Sequence, residues 1–272
     1  MVTRTSNSLS KKVVRPAISV LALLLPVVIA SSVSGINLAA QPAQSDQSLS
    51  GKEIIDHIDA AVFSRSSALA GYSVQEVYSI FRNGETSPSA QETVRTTYIP
   101  ASGKQYAVVS QSGSGILRSA IIDKVLVGEK EMSATANREG VWVTSANYEM
   151  RPEPTQVEIS CRKCLIVDLR PRRKSPHLFV GKAWVDASDF TVVRLAGTPS
   201  QIPSFFAGET TVLRDYDKVA GISMATHAEA HSHSLLLGDT LLKIDYTDYK
   251  IDLDPSAAQI PTPTRPTEQK LQ

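Results

Sequence analysis

The residues best suited to chemistry are three histidines and a glutamate in the segment THAEAHSH, residues 226–233. His227, Glu229, His231 and His233 alternate with small residues, so in a β-strand they would share one face. Imidazole and carboxylate groups are zinc ligands, which makes this face a candidate metal site. Same-face positions lie roughly 6.5–7 Å apart, so two or three of the four side chains can meet one ion. The pattern equally fits the polar face of a half-buried strand.

Cys161 and Cys164 are the two cysteines of the chain and form a C-x-x-C pair. One pair cannot supply a closed four-sulfur zinc site, and the following segment CLIVDLR is typical of a strand rather than of a redox-active helix start. In a straight strand the two Cα atoms would lie roughly 10 Å apart, whereas a disulfide requires less than about 7 Å. A disulfide is therefore expected if residues 161–164 form a tight turn, and free thiols are the alternative.

Other catalytic and binding signatures are missing from the sequence. The segment SGSGIL, residues 112–117, lacks the Gly-Lys-Ser/Thr of a phosphate-binding loop, and no G-x-S-x-G motif is present. The net charge of +1 and the 6% aromatic content argue against a nucleic-acid-binding protein. We therefore expect a protein that is not an enzyme, binds no nucleic acid and needs no cofactor.

The N-terminus predicts export. Basic residues up to Arg15 precede the apolar run AISVLALLLPVVIA, residues 17–30, and small residues follow, as in a secretory signal peptide. We expect a signal peptide over residues 1–40 and a flexible leader over residues 41–49, which places the mature protein in the periplasm or another extracytoplasmic space. The alternative is an inner-membrane anchor over residues 17–36, although Pro26 interrupts a run shorter than the ~20 residues of a spanning helix.

The elements that must position these residues follow from hydrophobic periodicity. Ser50 and Glu53 predict a capping box that starts a helix ending near Ser66. Short segments rich in Val, Tyr and Thr then predict an antiparallel meander of three strands, and residues 112–133 predict a second helical segment. Further strands are expected from GVWVTSANYEM, residues 140–150, onward, and residues 255–272 are expected to be a disordered, proline-rich tail.

The segment GKAWVDASDFTVVRLAG, residues 181–197, predicts a hairpin with its turn at Ser188 and Asp189. That turn pairs Asp186 with Thr191, Trp184 with Val193 and Lys182 with Leu195. Trp184, Val193 and Leu195 would then form one apolar patch on a single face of the sheet.

Several segments together resemble the LolA/LolB-like family of periplasmic outer-membrane lipoprotein-sorting proteins, in an uncharacterised branch. They are the hairpin above together with YSVQEVYSIFRNG, YIPASGKQYAVV, GILRSAIIDKVLVGEKE and LLKIDYTDYKI. The N-terminal domain of the sensor RseB is similar. The resemblance implies an α+β domain over residues 50–254, built as an incomplete antiparallel β-barrel whose concave face is covered by helices.

The resemblance also implies a carrier or sensor that binds a lipid or a lipoprotein acyl chain in the apolar half-barrel. An envelope-stress sensor that binds an envelope membrane protein is the alternative, and a metal-dependent enzyme built on residues 227–233 is a third. The expected apolar contacts with the ligand are Ile116, Leu117, Ile121, Trp184, Val193 and Leu195.

Overall fold

The computed structural model describes residues 49–202, 208–234 and 238–256. The predicted signal peptide, nearly all of the leader and nearly all of the tail lie outside these residues. Within the described ranges, no helix combines the length and the apolar character that crossing a membrane requires.

The first helix, α1 (Gly51–Ala68), begins at the predicted capping box. The Glu53 amide donates to Ser50 Oγ at 3.3 Å, and the Ser50 amide donates to Glu53 Oε2 at 2.8 Å. Both contacts satisfy donors that a helix start leaves unpaired. Ile54 and Ile58 are buried one turn apart and fix the face of α1 that meets the sheet.

Within the described residues, ten strands form one open sheet, so the predicted fold class is confirmed. Their spatial order is β3-β2-β1-β10-β9-β8-β7-β6-β5-β4, and every pairing among the described strands is antiparallel. Because β3 and β4 end the sheet without pairing with each other, the barrel stays incomplete. The strands are β1 (Leu69–Arg82), β2 (Ala90–Ile99), β3 (Gly103–Gly113), β4 (Tyr148–Ile159), β5 (Arg162–Pro171), β6 (Phe179–Asp186), β7 (Val192–Pro199), β8 (Thr210–Val219), β9 (Ile222–Ser234) and β10 (Gly238–Leu253).

The second helical segment lies between β3 and β4, as predicted. It consists of α2 (Gly115–Leu117), a π-helical turn (Arg118–Ile122) and α3 (Asp123–Ser133) without interruption. A 3₁₀ turn (Arg138–Val141) follows. The strand expected from Gly140 was wrong in its first half, because β4 begins only at Tyr148 and continues to Ile159.

The helices pack on the same face of the sheet and divide its core in two. Leu117, Ile121 and Leu126 pack with the inward residues of β1, β2 and β10 in one cluster. Ile54 and Ile58 of α1 pack with the inward residues of β4, β5 and β6 in the other. The middle of the inner face lies between these two clusters.

The predicted register of the β6–β7 hairpin was wrong by one residue. Asp186 does bond to Thr191, through its amide and the Thr191 carbonyl at 2.9 Å. A bulge between Trp184 and Val185 then shifts the ladder, so that Trp184 pairs with Arg194 and Lys182 pairs with Ala196. A one-residue shift exchanges the faces of a strand. Trp184 therefore lies on the outer face, in one cross-strand row with Arg194, Asp215 and His227.

The same hairpin contains a close backbone approach that yields a prediction. Gly181 pairs with Gly197, and a Cβ added to Gly181 would overlap the Ala196 carbonyl oxygen and lie 2.6 Å from Gly197 Cα. Gly181→Ala should lower the free energy of unfolding by about 1–3 kcal/mol, because the two backbones must separate. Gly115→Ala is the control, since its Cβ would meet nothing nearer than the Arg118 guanidinium at 3.5 Å. Equal stability of both variants in urea unfolding would contradict the prediction.

Candidate functional site

A cavity of about 430 Å³ occupies the gap between the two core clusters. α1 contributes Ala61 and Val62, and the end of α3 contributes Met132. Leu195 and other inward residues of the sheet form the opposite wall. Six tyrosines line the cavity: Tyr72, Tyr98, Tyr148, Tyr216, Tyr246 and Tyr249.

A fully buried carboxylate, Glu76, lies on the cavity wall. The Tyr78 hydroxyl donates to Glu76 Oε2 at 2.5 Å. Glu76 Oε1 accepts no hydrogen bond within the described structure and lies 3.7 Å from the Lys104 ammonium. The charge of Glu76 is thus compensated mainly by one hydroxyl and one cation.

Glu129 of α3 connects the helix to both sides of the sheet. Lys104 of β3 donates to Glu129 Oε2, and Arg214 of β8 donates to Glu129 Oε1 at 2.8 Å. Burial opposes the charge of this carboxyl, but the two cations outweigh burial and lower its pKa to about 2. Arg214 also donates to the Tyr246 hydroxyl at 3.2 Å. The cluster holds α3 over β3 and β8 with Glu129 ionised at neutral pH.

Two further arginines, Arg65 and Arg138, line the cavity. Arg65 Nε donates to the Ser223 carbonyl at 2.6 Å, and Arg138 Nη1 donates to the Pro100 carbonyl at 2.8 Å. Among the described residues, the cavity wall thus contains one lysine and three arginines against two carboxylates. It also contains His177, whose burial lowers the pKa of its imidazole and favours the neutral form. The arrangement can hold an apolar chain next to a negatively charged group.

The predicted apolar ligand contacts occupy different places. Leu195 lines the cavity, whereas Val193 is buried without lining it. Leu117 and Ile121 belong to the second helical segment. They are core residues that pack against β1, β2 and β10. Ile116 projects outward with 81% of its surface exposed. With Trp184 on the outer face, the structure does not bring the six predicted contacts together.

The histidine strand has the predicted alternation, and its polar residues lie on the outer face. His227 contacts Asp245 at 2.7 Å and Glu229 at 3.2 Å, and Glu229 also contacts Lys243 at 2.9 Å. Burial opposes the charge of His227, but the two carboxylates outweigh it and raise the pKa of the imidazole.

The other two histidines of this strand make carboxylate contacts as well. His231 lies 3.4 Å from Glu229, and His233 lies 2.6 Å from Asp239. Across the described ranges, no group of three or more His, Cys, Asp or Glu side chains is arranged to hold one metal ion. The histidines thus take part in a ladder of pairs with carboxylates on the outer face of the sheet.

Cys161 and Cys164 are free thiols in the structure. The β4–β5 turn falls at Ser160 and Cys161, whose φ angles of 48° and 61° are those of a two-residue hairpin turn. Cys164 is already in β5 and buried, while Cys161 is exposed. The turn that a disulfide would need at residues 161–164 is therefore not formed. Burial, aided by Asp186, raises the pKa of the Cys164 thiol.

The sequence analysis missed the charged residues of the cavity. Of these residues, Glu76 could have been found from the sequence. It interrupts an inward apolar row of β1 that is formed by Tyr72, Val74, Tyr78 and Ile80. A carboxylate within such a row must be buried. The cation that compensates it, Lys104, lies 28 residues away in the chain, and no local pattern links the two.

The Glu129 cluster predicts an acid-sensitive contribution to stability. Glu129→Gln should lower the free energy of unfolding by about 3 kcal/mol at neutral pH, because Lys104 and Arg214 lose their buried counterion. The folded-state pKa is depressed, so this contribution is present above about pH 5 and is lost as the pH falls towards 2. Urea unfolding of both proteins between about pH 3 and pH 7 measures the difference.

The exposed Glu149, which pairs with Arg151, provides the matched control. Glu149→Gln should change stability by less than about 1 kcal/mol, as expected for a surface ion pair. A stability difference between wild type and Glu129→Gln that stays constant down to about pH 3 would contradict the depressed pKa.

Comparisons with known proteins found similarity at the level of solved structures. No family model and no curated protein matches the chain. A putative outer membrane lipoprotein-sorting protein domain from Vibrio parahaemolyticus has 11% identity and a TM-score of 0.42, over 77% of this chain and 96% of the other. A DUF1329 family protein from Desulfovibrio piger has 12% identity and a TM-score of 0.40, over 74% and 93%. A LolA superfamily protein from Nitrosomonas europaea has 12% identity and a TM-score of 0.37, over 77% and 96%.

Proposed function

We propose that the protein is a non-enzymatic, extracytoplasmic carrier or sensor that binds a lipid or a lipoprotein acyl chain in its half-barrel. The observation that carries the proposal is the cavity of about 430 Å³ between the helices and the inner face of the sheet. Its volume falls in the range of about 300–1,000 Å³ that is usual for ligand pockets. Its apolar and tyrosine-rich lining suits a chain of methylene groups.

Burial supplies the binding energy in this proposal. An acyl chain that removes roughly 300 Å² of apolar surface from water gains up to about 7 kcal/mol before the entropic costs of binding. This corresponds to reversible binding, as a carrier or sensor needs.

The polar groups of the cavity support binding rather than catalysis. Glu129 is held between two cations, and Ser133 and Ser223 donate their hydroxyls to backbone carbonyls. These groups are thus engaged in structural contacts. The proposal assigns residues 1–40 to export, residues 50–254 to the binding domain and residues 255–272 to a tail.

An interaction module for an envelope protein is the second candidate, and β3 favours it. This strand ends the sheet, and Val108 and Val109 each expose 57% of their surface. Residues 107–113 of β3 are exposed and contain no proline, and an edge strand of this kind can accept an extended segment of a partner by strand addition. Co-purification with a membrane protein that is abolished by Val109→Pro would support this candidate.

Native mass spectrometry tests the lipid-binding proposal. The purified chain should gain the mass of one molecule when mixed with a diacylated peptide or with a lysophosphatidylcholine. Ala61→Trp should weaken this binding about tenfold or more, because the indole fills space on the cavity wall. Ala60→Trp is the matched control, since Ala60 is exposed on the same helix. The absence of any mass gain with either ligand would overturn the proposal.

A further inference from the structure

The charges of the cavity fall into two groups with different pairing. Lys104 and Arg214 are neutralised by Glu76, which is fully buried, and by Glu129, whose side chain is 18% exposed. Arg65 and Arg138 have no carboxylate within ion-pair distance among the residues that the structure describes. The cavity therefore carries positive charge in excess of what its own wall neutralises.

Arg65 is half-buried at the end of α1, and backbone and sulfur contacts hold its guanidinium. Its Nε donates to the Ser223 carbonyl at 2.6 Å, and its Nη2 lies 3.4 Å from Met224 Sδ. A thioether is a weak acceptor, so the second contact leaves most of the donor capacity of Nη2 unused. Since a guanidinium has five N–H donors, Arg65 can still bind an anion without losing its anchor on β9.

Arg138, in the 3₁₀ turn after α3, also combines a backbone anchor with an unused donor. Its Nη1 donates to the Pro100 carbonyl at 2.8 Å. Its Nε is buried and makes no hydrogen bond within the described structure. A buried donor without an acceptor costs roughly 1–3 kcal/mol, which an anionic ligand in the cavity can offset.

We propose that the cavity selects single-chain amphiphiles with an anionic head, which Arg65 and Arg138 bind while the apolar lining holds the chain. This inference rests on the proposed lipid-binding function and specifies its ligand class. Guanidinium groups match the planar geometry of a carboxylate and the oxygens of a phosphate, and they stay charged at every physiological pH. The head can thus be the carboxylate of a fatty acid or the phosphate of a lysophospholipid.

Binding of twelve-carbon chains that differ only in the head tests the inference. Dodecanoate and dodecyl phosphate should bind to the full chain at least about tenfold tighter than dodecanol, because a charge-assisted contact is lost in the alcohol. The measurement is competition with a bound fluorescent fatty acid, below the concentrations at which the two anions form micelles and below the solubility limit of dodecanol. The anion that binds more tightly indicates whether the natural ligand has the carboxylate head of a fatty acid or the phosphate head of a lysophospholipid.

The variants Arg65→Gln and Arg138→Gln should each reduce the preference for the anions over dodecanol, by up to about tenfold. Arg95→Gln is the matched control, since Arg95 donates to Gln75 on the sheet and does not line the cavity. If a glutamine variant has a lower melting temperature, Arg65→Lys serves as a second variant, which keeps the charge and should retain part of the preference.

The outcomes separate this inference from the function on which it rests. Equal affinity for dodecanol and the anions, or a preference that survives both glutamine variants, would overturn the anionic selection and leave lipid binding in place. If no twelve-carbon chain binds and the diacylated peptide gives no complex, the lipid-binding function fails together with the inference.

Discussion

Two helical segments are too narrow to cover the inner face of a ten-stranded sheet, and this mismatch determines the rest of the structure. α1 buries its apolar residues against one end of the sheet, and the segment over residues 115–133 buries its own against the other. An apolar inner face that is left between them must be filled by side chains, by polar groups or by a ligand. The cavity follows from this geometry, because both helices are already held by their own core clusters.

Charged residues occupy part of the gap and keep it from closing. Glu76 and Glu129, with Lys104 and Arg214, form a partly buried cluster across β1, β3, β8 and α3. Burial of such charges is costly, and well-packed apolar residues of the same volume are often as stable. The cluster therefore contributes less to stability than to position, since it ties α3 to both β3 and β8.

Local signals in the sequence were sufficient for the elements but not for the site. The capping box at Ser50, the turn residues between strands and the period of the second helical segment act over a few residues, and the structure follows them. The bulge beside Trp184 depends on the neighbouring strands, and it moved the tryptophan to the opposite face. Likewise, Arg65 and Arg138 meet at one cavity because the sheet curves, which no spacing in the chain encodes.

The alternation of β9, which first suggested a metal site, has its explanation on the inner face. Ala228 is buried there, with Ala230 packed against the same core cluster, and Ala225 lines the cavity. In the same cross-strand row, the small side chain of Ala228 lies beside Arg214, whose guanidinium reaches Glu129. Larger residues at these positions would occupy the space that the arginine and the cavity need. The inner face therefore requires small residues at alternate positions, while the outer face accommodates the long polar side chains between them.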